Sequence, residues 1–177
     1  MKVQKHNALS SRFPMPFFYL AMFSLLGGMF ISSCDSKRVF EENKDLKNTN
    51  WYIDSVQTFS FKIEEVNKPY NVVLNLRNSS SYPYYNLFLR YYLTDSTKRE
   101  LKSQQLELLL MDPITGEPTG GGLGDICSHG FPLLKKYSFP HPGTYTIRLK
   151  QYMRQDPLPN IHSVGIRLEN FVVSETK

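Results

Sequence analysis

Two cysteines in 177 residues leave almost no room for covalent cross-linking. Cys34 ends a hydrophobic run and has another use, argued below, so Cys127 has no partner within the chain. The fold must then be held by burial alone, with Cys127 as a small packing residue. Histidine is equally sparse. After residue 33 only His129, His141 and His162 occur, and Cys127 with His129 would need two further ligands for a zinc site. There is no Gly-x-Ser-x-Gly elbow, and no Lys-Ser or Lys-Thr follows the one glycine-rich stretch, which excludes a nucleophile elbow and a P-loop. The aspartates Asp54, Asp95, Asp112, Asp125 and Asp156 are scattered through candidate turns. These absences point away from metal, phosphate-loop and acyl-transfer chemistry. The chain is expected not to be an enzyme, with no catalytic residue and no metal.

Acidic residues are missing altogether from residues 1–33. Lys2, Lys5 and Arg12 precede an apolar core at residues 17–31, the charge order of a secretory signal. That core is about 15 residues long, short of the roughly 20 that a membrane span needs, and Gly27-Gly28 interrupts it. Directly behind it stands Ile31-Ser32-Ser33-Cys34, a lipobox: an aliphatic residue and two small ones ahead of a cysteine. The expected cleavage lies between Ser33 and Cys34. Cys34 would become the first residue of the mature protein, and its covalent diacylglycerol and N-acyl chain would be its only attached group. Removing the signal leaves 18 Lys and Arg against 16 Asp and Glu. The basic charge thus belongs largely to the signal, and no nucleic-acid footprint remains.

The third absence is helical spacing: no stretch of the mature chain keeps an apolar period of three and four beyond two turns. Alternation by two recurs instead. Phe59, Phe61 and Ile63 alternate with Ser60 and Lys62; Tyr70, Val72, Leu74 and Leu76 with Asn71, Val73, Asn75 and Arg77. Tyr85, Leu87, Leu89, Tyr91 and Leu93 are expected to face one way, and Asn86, Phe88, Arg90 and Tyr92 the other. Leu106, Leu108 and Leu110 fit a further strand, stopped by Asp112-Pro113. Residues 133–139, 144–153 and 163–173 complete the series. Short alternating strands with Pro and Gly corners predict an all-β domain, a single antiparallel β-sandwich of Ig-like or jelly-roll-like form. It is expected to span residues 51–177, behind a polar tether at residues 34–50, with Trp51 plugging one end.

Two surfaces are candidates for contact. The stretch Gly120-Gly121-Gly122-Leu123-Gly124-Asp125 reads as a long loop running to Gly130, and such loops are where partners bind. Gly120, Gly121, Gly122, Gly124 and Asp125 are the candidate contact residues. Tyr84, Phe88 and Tyr92 form the exposed set of an alternative, a stacking platform for a glycan.

Gly-Leu-Gly-Asp-Ile at 122–126, Pro-His-Pro-Gly-Thr-Tyr at 140–145, Gln-Tyr-Met-Arg at 151–154 and Leu-Pro-Asn-Ile at 158–161, leading into Val-Gly-Ile-Arg at 164–167, occur in that order behind the lipobox. This series resembles the gliding-motility lipoprotein family GldH of Bacteroidetes, and the resemblance runs over essentially the whole chain. It implies a lipoprotein associated with gliding and with type IX protein secretion, whose partners are other envelope proteins and lipoproteins of that machinery. It carries over no enzymatic activity, cofactor or catalytic residue. Because Asp35-Ser36-Lys37-Arg38 lacks the acidic cluster expected of surface-exposed lipoproteins in this group, the anchor is expected in a leaflet facing the periplasm. The rival is a glycan-binding surface lipoprotein of a polysaccharide-uptake system.

Overall fold

Alternation by two becomes strand wherever both sets of side chains find their proper surroundings. In the computed structural model, which describes residues 37–172, the strands are β1 Arg38–Asp45, β2 Gln57–Ile63, β3 Tyr70–Ser79, β4 Asn86–Thr94, β5 Glu100–Leu109, β6 Gly121–Leu123, β7 Ile126–Tyr137, β8 Gly143–Gln151 and β9 Ile161–Asn170. One 3-10 turn, Lys47–Thr49, is the sole helical element among the described residues. Ser33, Cys34 and the expected signal peptide lie outside the described residues.

Two antiparallel sheets result, ordered β1-β9-β3-β7-β6 and β2-β8-β4-β5. β1 pairs with β9, β2 with β8, β3 with β7 and β4 with β5. The chain is therefore one long hairpin, rolled so that successive nested pairs fall in alternate sheets. This connectivity is that of a jelly roll and decides between the two sandwich forms expected. Tyr70, Val72, Leu74 and Leu76 of β3, Phe59, Phe61 and Ile63 of β2, and Leu87, Leu89, Tyr91 and Leu93 of β4 are all buried between the sheets. Each ring or branched side chain buried in this way contributes roughly 1.5 to 3 kcal/mol.

Both ends of the sandwich are closed by aromatic residues. Trp51 is fully buried at one, its Nε1 donating to the Ser55 carbonyl at 2.9 Å and its backbone bridged to Leu158. At the other, Phe139 lies 4.6 Å from Tyr145, 4.9 Å from Tyr137 and 5.8 Å from both Tyr70 and Phe61, centroid to centroid. β7 reaches this end through an irregular register in which Val72 faces Leu134 while Val73 faces Pro132. The extra residue lets Leu133 and Leu134 both turn inward, as a bulge allows. Pro132, which cannot donate to a ladder, lies beyond the reach of β6, where β7 is the edge of its sheet.

Three expectations need correction. The polar residues from Arg38 to Asp45 are not tether but an edge strand, paired with β9 from Arg38↔Glu169 to Asp45↔Ser163. The sandwich thus begins at residue 38 and not 51. Tyr85 does not join the inward row, because β4 starts at Asn86 and Tyr85 is exposed in the turn before it. The third correction concerns the glycine-rich stretch and is taken up with the site.

The core position of β3 has a measurable consequence. Leu74→Ala, at a fully buried site opposite both Phe131 and Ile166, is expected to lower unfolding free energy by about 2 to 5 kcal/mol. Leu123→Ala, at a side chain 93% exposed, should change it by no more than about 0.5 kcal/mol. Urea titrations of the two variants against the parent check both values.

Candidate partner interface

The strands reverse in turn except β6, which runs the same way as β5 before turning back into β7, so the connections, with β5–β7 taken as one, alternate between the two ends of the sandwich. The start of β1, the end of β9 and the β2–β3, β4–β5 and β7–β8 connections share one end. There the Asn170 amide donates to the Lys37 carbonyl and the Phe171 amide to that of Pro69. The β1–β2, β3–β4, β5–β7 and β8–β9 connections share the other. The exposed large apolar residues divide unequally between them: of the ten among the described residues, Tyr52, Val56, Tyr84, Tyr85, Leu109, Ile114, Leu123 and Tyr152 belong to the second end, and only Val39 and Val172 to the first. Ile114 and Leu123 stand out, 92% and 93% exposed. Exposed apolar side chains gathered at one end of a domain are the kind of feature that marks interaction sites.

Hydrogen bonds fasten the connections of that end to one another. The Ser80 amide donates to the Asp125 carbonyl at 2.7 Å, and the Leu110 and Met111 amides both donate to that of Tyr85, at 2.8 and 3.0 Å. Tyr84 Oη donates to Gln155 Oε1 at 2.7 Å, and the Asp156 carboxylate accepts from the Ile53 amide at 2.9 Å. Asp112 holds the turn that presents Ile114: its Oδ1 accepts from the amides of Ile114 and Thr115 at 2.8 and 2.9 Å. The Thr115 and Ile114 amides keep its carboxyl below the usual range. Asp95, at the other end, serves its own turn through the Thr97 hydroxyl and the amides of Thr97 and Arg99. Asp112 and Asp95 thus shape their own turns, and Asp156 joins two connections.

The glycine-rich stretch is a hairpin and not a loop. Gly121, Gly122 and Leu123 pair with Ser128, Cys127 and Ile126, leaving Gly124 and Asp125 as the two turn residues. Gly124 has φ 63° at the first central position, where a II′ turn places glycine. At Gly122 a Cβ would run into the Ile126 carbonyl and the Cys127 Cα, so only glycine lets the two strands approach. Gly120 lies against Ser128 and the His129 ring, whereas Gly121 faces open space. His129, expected in a loop, is instead buried in β7 opposite Leu76, stacked on Phe131 at 5.7 Å. Burial pushes its pKa below the ordinary 6.5, and Nε2 has no partner among the described residues. Cys127 is buried beside it, with no third metal-ligating side chain grouped with the pair among the described residues. The expected aromatic trio is split: Phe88 and Tyr92 lie on the outer face of β4 and Tyr84 in the turn before it. The guanidinium carbons of Arg90 and Arg148 stand 5.3 and 5.2 Å from the Tyr92 ring centroid.

Residues 38–168 match the family described as GldH lipoprotein. The chain belongs to that family. A relative from Flavobacterium johnsoniae, "Gliding motility lipoprotein GldH", is 34% identical over 152 residues, 82% of this chain and 92% of the relative. A second, "Gliding motility lipoprotein GldH homolog" of Christiangramia forsetii, is 31% identical over 150 residues, covering 80% and 89%. Among solved structures, a chain of infectious bursal disease virus, Gx strain, is similar at 12% identity and a TM-score of 0.40; the match covers 80% of this chain and 35% of the viral one. Membership in a lipoprotein family makes this a membrane-anchored protein of the cell envelope. No helix among the described residues is long and apolar enough to cross a membrane.

Sequence reasoning took residues 120–130 for a loop and missed Ile114 and Leu123 as contact residues, whose signal was available: isolated aliphatic residues inside a Gly-, Pro- and Thr-rich stretch have no core to face. Two measurements test the hairpin. Gly122→Ala is expected to cost about 1 to 3 kcal/mol through forced contact, while Gly121→Ala is close to neutral; paired thermal melts show the difference. His129 stays neutral in the folded state at a pH where the unfolded chain already binds a proton, so stability is complete above pH 6.5 and lost as pH falls from there through the lowered folded value. In His129→Gln this segment of the curve of melting temperature against pH should be flat.

Proposed function

We propose that this protein is a lipid-anchored, non-catalytic assembly component of a gliding-motility and type IX secretion apparatus, and that it docks an envelope protein through the end of the sandwich carrying Ile114 and Leu123. The observation behind the reading is the separation of the two ends. Arg38, where β1 begins, follows the expected lipid site Cys34 by four residues, a reach of at most about 14 Å. Acyl chains on Cys34 therefore hold the β1-start end close to the membrane, in a leaflet facing the periplasm, and two or more chains give the stable attachment that one alone does not. The opposite end, with eight of the ten exposed large apolar side chains, is presented away from the bilayer. The names of the two relatives supply the process. A glycan platform draws less support: Arg90 and Arg148 already flank the Tyr92 ring, and the Tyr84 hydroxyl is engaged by Gln155.

The test is co-purification from native membranes. Ile114→Glu with Leu123→Glu should keep the melting transition of the parent, since both side chains are solvent-exposed, yet lose the envelope protein that accompanies the parent. A double variant that retains that protein would remove this end as the docking site.

A further inference from the structure

The outer face of the second sheet carries a set of groups that neither the fold nor the docking end uses. Arg90 on β4 lies directly opposite Lys150 on β8, and Tyr92 directly opposite Arg148. Like charges facing each other across a ladder are destabilising, and Arg90, Arg148 and Lys150 take part in no ion pair with a described residue. Arg90 Nε is buried without a hydrogen-bond partner, and its guanidinium makes a 3.5 Å contact to the Ser103 hydroxyl and reaches the Tyr152 phenol. Two phenols complete the group. Tyr92 and Tyr152 stand hydroxyl to hydroxyl at 3.2 Å, and Lys150 Nζ lies 5.9 Å from the Tyr152 ring centroid. The hydrogen bond with Tyr92, reinforced by the charges of Arg90 and Lys150, holds the Tyr152 phenol below its ordinary value.

We propose that Arg90, Arg148 and Lys150, with the Tyr152 hydroxyl, form a docking site for an acidic segment of a partner protein. Three cations on two adjacent strands, held in place by the rings of Tyr92 and Tyr152, present donors to successive carboxylates of an extended chain, and guanidinium is the donor best shaped for carboxylate. Charge complementarity selects the occupant. A neutral saccharide would want the ring faces that the cations cover. A bilayer would meet the end where β1 begins, whereas this cluster rises along the flank from Arg148 to Tyr152, next to the opposite end. Such a site governs encounter rate and partner choice more than raw affinity. It is independent of the apolar contact at Leu123, and either one can fail alone.

Fluorescein-labelled deca-glutamate, titrated by anisotropy against the full-length protein in detergent, is the direct probe. Binding should weaken steeply with added salt. The triple variant R90Q/R148Q/K150Q should lose about tenfold in affinity, the sum expected of three exposed charge contacts. K135Q/K136Q, which removes two lysines from β7 in the other sheet, should change it less than about twofold. K150Q alone should weaken binding with the melting temperature unchanged or raised, because it relieves the facing charges. Should the triple variant lose its melting transition, R148Q at an exposed position serves instead, with roughly threefold expected. Deca-glutamate bound equally by parent and R148Q would overturn the proposal. So would tighter binding of polygalacturonate at matched charge, or of phosphatidylglycerol micelles, which would assign the patch to a glycan or to lipid.

Discussion

The register of β3 is the constraint on which the rest depends. It is flanked from end to end on both sides, by β9 and β7, and its Tyr70, Val72, Leu74 and Leu76 face the core. A slip of one residue would send those four outward and bring Asn71, Asn75 and Arg77 in. Fixing β3 fixes β9 and β7 against it, and the nested pairing then determines where β1 lies and which way every connection crosses. With no disulfide among the described residues, side-chain alternation and the aromatic plugs at Trp51 and Phe139 carry the specificity that cross-links supply in many exported domains.

Function follows from the connectivity more than from any single residue. Because the eight strands other than β6 reverse in turn, the entry of the chain falls at one end, and the β5–β7 excursion, with its exposed Ile114 and Leu123, falls at the other. β3 has ten residues, so roughly 33 Å of strand separates the two ends. On the proposed reading a jelly roll built this way is a spacer as well as a scaffold: a lipid on Cys34 would be fastened at its base, and the contact surface would lie beyond the reach of the headgroups. The facing cations of β4 and β8 add a second surface on the flank. Their mutual repulsion is a local cost that the fold itself does not explain, the kind of inconsistency that accompanies a working surface.

The strands that could be read from sequence are those whose two faces have unlike chemistry. β2, β3, β8 and β9 were legible because apolar and polar residues alternate over most of their length. β1 was not. Lys44 reaches inward over the Phe59 ring at 4.8 Å and bonds the Thr58 carbonyl, its aliphatic stem covering apolar surface while the charge finds an acceptor; with Glu42 in the same half-buried row, the strand reads as polar after Val39-Phe40, the only part of it that suggests an edge strand. Inward-leaning charge on an edge strand also discourages pairing with a second sheet. The β6–β7 hairpin was hidden for a different reason: glycines needed for close approach look the same in sequence as glycines in a loop, and Cys127 and His129 give a weak apolar signal. The unpaired cations were visible individually, but that Arg90 faces Lys150 depends on register between strands nearly sixty residues apart.

The account's central claim is that the two ends of the sandwich meet different neighbours. Photo-crosslinking in intact envelopes, with a photoreactive residue at Leu123 in one strain and at Lys68 in another, tests it most directly. Leu123 should give a discrete protein adduct, and Lys68, at the end where β1 begins, should give lipid or none. A discrete protein adduct from Lys68, with none from Leu123, would contradict the account.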